Sequence, residues 1–254
     1  MNLLFLFILH LFNIINSFAL YTHTLHKPHK IVLAVVNSAN ENASIMDSTP
    51  TLKSSMNEIG SVVQELISLC SYNSLNIFNS EENVKIESLI NFLESKFSPI
   101  MTTPFLNLVV SGEWNLLYSN TATKKEYKNL ELNITQVLTP LTSDSFNGSL
   151  VNKIVWRLKN SVDFIIGTGD FIVRSNYTVT PKGSLEVRLY EHILKPVIVP
   201  DDIEALVISI QRSVPIELFD PDETIFHNTY VDPKLRITRV VGSKWSKVNI
   251  FVKR

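Results

Sequence analysis

Few side chains in this sequence are spaced as chemistry would require. Gln136 and Asn152 are two carboxamides on neighbouring runs of alternating polarity, each on the apolar face of its run. An amide inside an apolar enclosure must find partners, so the pair either bonds to itself and the main chain or fixes a ligand's polar head. Tyr118 and Tyr177 stand on the same kind of face and read first as core. His192 and His227 are isolated, and Asp201-Asp202 and Asp220, Asp222 and Glu223 sit beside prolines in loops. Cys70, the single cysteine, falls on the apolar stripe of a helix, where a thiol packs. There is no glycine-rich phosphate loop, no G-x-S-x-G and no H-E-x-x-H. No catalytic residue, metal site or cofactor is therefore expected.

The elements that must position these groups fall into two halves. From Leu52, apolar residues recur at Met56, Ile59, Val63, Leu66, Ile67 and Cys70, which predicts a helix over 52–70. A second stripe, Ile86, Leu89, Ile90, Leu93 and Phe97, predicts a helix over 81–97 capped by Ser80 and stopped by Pro99 and Pro104. After Gly112 the period becomes two. "SGEWNLLYSN" sets Gly112, Trp114, Leu116 and Tyr118 on one face. Later runs group Leu132, Ile134, Gln136 and Leu138; Leu150, Asn152, Ile154 and Trp156; Phe171, Val173, Ser175 and Tyr177; and Leu185, Val187 and Leu189. Near the end "LRITR" groups Leu235, Ile237 and Arg239. Asn147-Gly148, Gly167-Thr168-Gly169 and Pro181-Lys182-Gly183 supply turn chemistry. "DDIEALVIS" reads as a short helix capped by Asp201, and "PVIVP" and "VPIELFDPDE" as loops or edge pieces. Seven to nine one-sided strands must bury one face, in a sandwich or a closed barrel over 111–254.

Bulk properties narrow the function. A net charge of −1 offers nothing to neutralise phosphates, so nucleic acid is not an expected partner. One cysteine excludes an intramolecular disulfide. Residues 1–17, "MNLLFLFILHLFNIINS", are apolar and uncharged and read as a signal peptide. Residues 18–50 begin "FALYTHTLHKPHK", basic and acid-free, and read as a transit-like, unstructured segment. The succession, with Phe18 at the junction, resembles the bipartite presequence of plastids surrounded by extra membranes. The rival is plain secretion, which the N-x-S/T triplets at Asn42, Asn133, Asn147 and Asn176 would suit.

Over residues 51–254 the chain resembles the plastid lipid-associated proteins, or fibrillins. Four features carry the likeness in order: the helix pair including "LINFLESKFSP", the G-x-W-x-L-x-Y opening at Gly112, "ITQVL" followed by an Asn-containing strand, and the ending "TYVDPKLRITRVVGSKWSKVNIFVKR". Val240 stands where that family has Gly, and Gly242 follows two residues later in a longer turn. The resemblance implies a mainly β fold, a lipocalin-like antiparallel barrel preceded by two helices. It implies that Trp114 fills the closed end after Gly112, under a late arginine. Parity assigns that role to Arg239, beside Leu235 and Ile237, and turns Arg236 outward. Leu116, Tyr118, Leu132, Ile134, Gln136, Asn152, Ile154, Trp156, Phe171, Val173, Tyr177, Leu185, Val187 and Leu189 are the expected lumen residues. The implied function is non-enzymatic: binding a prenylquinone, carotenoid or fatty acid, or coating thylakoid-associated lipid bodies (plastoglobules) at a peripheral membrane or lipid surface. The alternatives are an isomerase-type enzyme using Gln136, Asn152 and Tyr177, and a secreted, glycosylated carrier.

Overall fold

In the computed structural model, residues 49–72, 78–97, 102–121, 129–143, 145–241 and 247–254 are described. The expected presequence and the Gly242 turn lie outside them. Eight antiparallel strands close into one barrel in chain order: β1 (Gly112–Ser119), β2 (Leu130–Pro140), β3 (Asn147–Lys159), β4 (Ile165–Val179), β5 (Ser184–Ile198), β6 (Ile225–Val231), β7 (Leu235–Val240) and β8 (Val248–Lys253). The last strand pairs with the first, Trp114 opposite Lys253 and Ser119 opposite Asn249. Closure removes both sheet edges. The expected barrel and its preceding helices are therefore present.

Two helices precede it, α1 (Thr49–Tyr72) and α2 (Ser80–Lys96). The cap of α2 is Asn79, not Ser80: Asn79 Oδ1 accepts from Glu82 N at 2.8 Å, and Glu82 Oε2 accepts from Asn79 N at 2.9 Å. Pro104 does not merely stop α2. It opens a further helix, α3 (Thr103–Val110), where its missing N–H costs nothing. The 201–222 region folds as α4 (Ile203–Ser213) and the single turn α5 (Ile216–Phe219). Asp202, one residue after the expected Asp201, caps α4 through Ala205 N at 2.8 Å.

Two of the expected turns are strand instead. Gly167 and Gly169 lie within β4, and the reversal falls at 160–164, where Asn160 Oδ1 accepts from Val162 N and Phe164 N. The glycines make room for an indole: a Cβ on Gly169 would stand 2.8 Å from Trp156 Cζ2. Gly148 likewise opens β3 against the Tyr177 ring. Gly183 does form a turn, at φ +78°. "PVI" is not loop but the end of β5, and Pro196 is tolerated there because β5 pairs with β6 only over Ser184–Glu186.

There are two cores. The first fills the barrel with Leu138, Leu150, Ile154, Trp156, Phe171, Val173, Tyr177 and Phe251, and takes in Leu106 and Val110 of α3 and Leu206, Ile210, Leu218 and Phe219 of α4 and α5. The second lies outside the barrel wall, where Val63, Leu66 and Cys70 of α1 and Ile86, Ile90 and Leu93 of α2 cover Tyr118, Leu235, Ile237, Val248 and Ile250. The strands β7 and β8 are thus dry on both faces.

Candidate functional site

The barrel interior is sealed at both ends by different devices. At the floor, Trp114 is fully buried and its Nε1 donates to Val110 O of α3 at 2.8 Å. Asn107 of α3 accepts from Tyr177 Oη at 2.5 Å and donates to Ser145 O at 2.7 Å, fastening the helix across that end. Burial pushes the Tyr177 phenol up to about 12, with Arg236 opposing, so it stays a neutral donor.

The cation over Trp114 is Arg236, not Arg239. The Arg236 guanidinium lies 5.5 Å from the Trp114 ring centroid and 4.7 Å from that of Phe251. Lys253 Nζ approaches the same indole at 4.3 Å and donates to Ser111 O. Parity misassigned the arginines because it took the Leu235/Ile237 face as the interior. That face is the one the helix pair covers, and Arg239 on it forms a two-point ion pair with Glu94 of α2, at 2.7 and 2.9 Å. Tyr118 is misplaced for a related reason. An irregularity between Leu116 and Tyr118 shifts the β1–β8 register, and the ring joins the outer core, edge-on to Phe78 at 5.4 Å.

The other expected lumen residues do share the interior. Register pairs Gln136 with Asn152 and Ile154 with Phe171, and Ile134, Trp156, Val173, Tyr177, Leu185 and Val187 join the same core, with Leu116, Leu132 and Leu189 packed against it. The two amides bond directly: Gln136 Nε2 donates to Asn152 Oδ1 at 2.9 Å. A chain of contacts continues both ways. Asn152 Nδ2 donates to Leu218 O of α5 at 2.8 Å, and Arg236 Nη2 donates to Gln136 Oε1. This relay of charge-assisted and amide bonds joins the floor to the segment that plugs the mouth.

The plug is what sequence reasoning missed. Phe219 stacks on Phe171 at 5.0 Å and 8°. His192 of β5, isolated in the sequence, anchors the plug: its Nε2 meets Phe219 O at 2.7 Å. Glu217, also buried, accepts from Thr121 Oγ1 at 3.0 Å, Asn249 Nδ2 at 3.1 Å and Lys247 Nζ at 3.4 Å, tying α5 to the upper ends of β1 and β8. The buried glutamate and the amphipathic α4 were the only signals, and Pro200, Pro215 and Pro221 obscured both.

At the same end as the plug the wall carries an exposed apolar rim. Phe164 of the β3–β4 turn and Ile165 and Ile166 of β4 stand beside Val197 and Ile198 of β5 and the following Val199, since Thr168 pairs with Ile198. Phe164 is 69% and Val197 80% exposed. Contiguous exposed apolar surface of this kind marks contact with a partner or a lipid phase.

A closed up-and-down barrel of eight antiparallel strands, with an apolar interior, a sealed floor and a plugged mouth, belongs to the architectures that enclose small molecules. The family it belongs to follows from the sequence: the PAP_fibrillin family model matches residues 62–245, and the chain is a member of that family, which is associated with plastids and with lipid in general. No curated protein matches the chain.

Proposed function

We propose that the protein is a non-enzymatic plastid lipid-associated protein that holds one small hydrophobic molecule inside its barrel and meets lipid surfaces with its rim. The observation that carries this reading is the enclosed interior, lined by Ile154, Trp156, Phe171 and Val173, whose mouth is filled by a segment of the chain itself. Leu218 and Phe219 are apolar side chains standing where an apolar ligand would stand. Capture needs no chemistry, because removing apolar area from water gives about 25 cal/mol per Å². A prenylquinone, carotenoid or fatty acid suits such a lumen, and the rim of Phe164, Val197 and Val199 suits the surface of a thylakoid-associated lipid body. Family membership supports delivery to the plastid by the N-terminal presequence.

The test is extraction of the purified full chain with organic solvent and mass spectrometry, with tryptophan fluorescence during lipid titration. A defined apolar molecule in the extract, or quenching as lipid displaces the plug beside Trp156, is expected. An empty extract with unchanged fluorescence would refute lumen binding. Flotation with lipid droplets tests the rim separately: Phe164→Ser with Val197→Ser should lower the floating fraction several-fold.

A further inference from the structure

The Arg236 side chain is 1% exposed, and no carboxylate pairs with it among the described residues. Its Nη2 donates to Gln136 Oε1, but Nε and Nη1 have no hydrogen-bond partner. Leaving donors of a buried cation unpaired is costly, and stacking between Trp114 and Phe251 does not replace the missing bonds. A second cation, Lys253, shares the Trp114 indole and also lacks a carboxylate partner among the described residues. Burial lowers the guanidinium to about 9, so it is still charged at neutral pH. Thr238 Oγ1, also buried without a partner, stands two residues along the same inward face of β7. Among the described residues the floor thus has surplus positive charge and surplus donors, and no anion.

We propose that the barrel floor is a receptor for the carboxylate of a long apolar acid, with Arg236 as the headgroup donor and the hydrocarbon tail lying in the lumen. This rests on the lumen-binding reading and selects the acidic class of ligand over neutral ones. The planar amide of Gln136 now fills the acceptor position, and a carboxylate has the same planar shape with two acceptors and a full charge, which a guanidinium fork recognises at two points. The relay explains how the position is released. Asn152 holds Gln136 and, through Leu218 O, the plug. When a tail displaces Leu218 and Phe219, Asn152 loses that acceptor, the Gln136 amide is no longer fixed, and Arg236 exchanges an amide oxygen for a carboxylate. Arg236 also keeps its place over Trp114, so the floor remains closed.

The experiment titrates the full chain with cis-parinaric acid and with its methyl ester, which differ only at the head. Binding of the acid at least about tenfold tighter than the ester is expected, the fold-change of one charge-assisted hydrogen bond. In Arg236→Met the ratio of acid to ester affinity should fall to about one. Equal binding of acid and ester to the wild type would overturn the receptor and leave lumen binding intact, as would an acid preference that survives in Arg236→Met. Binding of neither probe would overturn both readings. If Arg236→Met does not fold, Arg236→Lys retains the charge without the fork and should lose most of the acid preference. Equal binding of the two probes to the wild type overturns the receptor without any variant.

Discussion

Asn152→Leu tests whether the relay inside the barrel joins wall and plug. Leucine shares the branching and heavy-atom count of asparagine and has no polar atom, so its bulkier methyls require only modest repacking. The substitution removes the 2.9 Å bond from Gln136 and the 2.8 Å bond to Leu218 O. Gln136 Nε2 and Leu218 O are then stranded in a dry interior, at about 1–3 kcal/mol each. The leucine side chain returns roughly 1 kcal/mol of apolar burial. The net loss should be about 1–5 kcal/mol in urea denaturation, with an unchanged slope. Location matters as much as size. The amides of Leu218 and Phe219 donate to Pro215 O, and that of Asp220 to Ile216 O. Their hydrogen exchange should accelerate at least tenfold, while the β3–β4 amides accelerate by no more than the loss of global stability requires. A loss below about 0.5 kcal/mol, the range of a neutral surface change, would refute the reasoning. So would plug amides exchanging at wild-type rates, since the relay would then hold nothing.

Three further outcomes follow from geometry. A double-mutant cycle on Arg239 and Glu94 should give a coupling energy of about 1 kcal/mol, because the pair is two-point and mostly shielded, and a null coupling would show that the ion pair does not hold α2 on the wall. Gly169→Ala and Gly60→Ala should have opposite signs in the same thermal melt: the first places a Cβ 2.4 Å from Lys195 O and costs about 1–3 kcal/mol, whereas the second meets nothing within 4 Å in mid-helix and gains about 0.5–1 kcal/mol. Burial raises the Cys70 thiol from 9.0 to about 12. A raised folded-state value means that the folded thiol keeps its proton longer than the unfolded one, so its contribution is complete below pH 9 and is lost as pH climbs from there toward 12. Stability measured by denaturant should therefore fall over that interval, and in Cys70→Ala it should fall by up to about 1.4 kcal/mol less per pH unit.

What the sequence disclosed follows a physical rule. Strands with one wet face announce which residues point inward, and β2 to β5 alternate cleanly enough to put Gln136, Asn152, Ile154 and Phe171 on that face, where the structure pairs Gln136 with Asn152 and Ile154 with Phe171. Strands with two dry faces do not. In β7 the apolar Leu235 and Ile237 face the helices and the charged Arg236 faces the interior, so polarity points the wrong way. The stripes of α1 and α2 include the buried Val63, Leu66, Cys70, Ile86, Ile90 and Leu93, with Leu52 and Met56 outside the described side chains, but a stripe carries no information about which surface it will cover. Tyr118 was lost to a one-residue irregularity that no propensity marks. The plug was illegible because its meaning lies entirely in long-range contacts: Leu218 meets Asn152 across 66 residues of chain, and Glu217 meets Thr121 across 96.

The seam between β1 and β8 sets an order on assembly. Lys253 reaches Ser111 across a separation of 142 residues, and Arg254 reaches Glu113 across 141. The pairings from β1–β2 through β6–β7 can form before β8 is made, but the ring itself cannot close. Until the final six-residue strand arrives, the sheet has two raw margins and Trp114 has no neighbour on one side. Such distant pairing is slow to find, which leaves the nascent chain open and threadable until β8 has been made and has reached β1. A chain cut before Val248 would remain an unlatched ribbon, prone to pairing with another copy of itself.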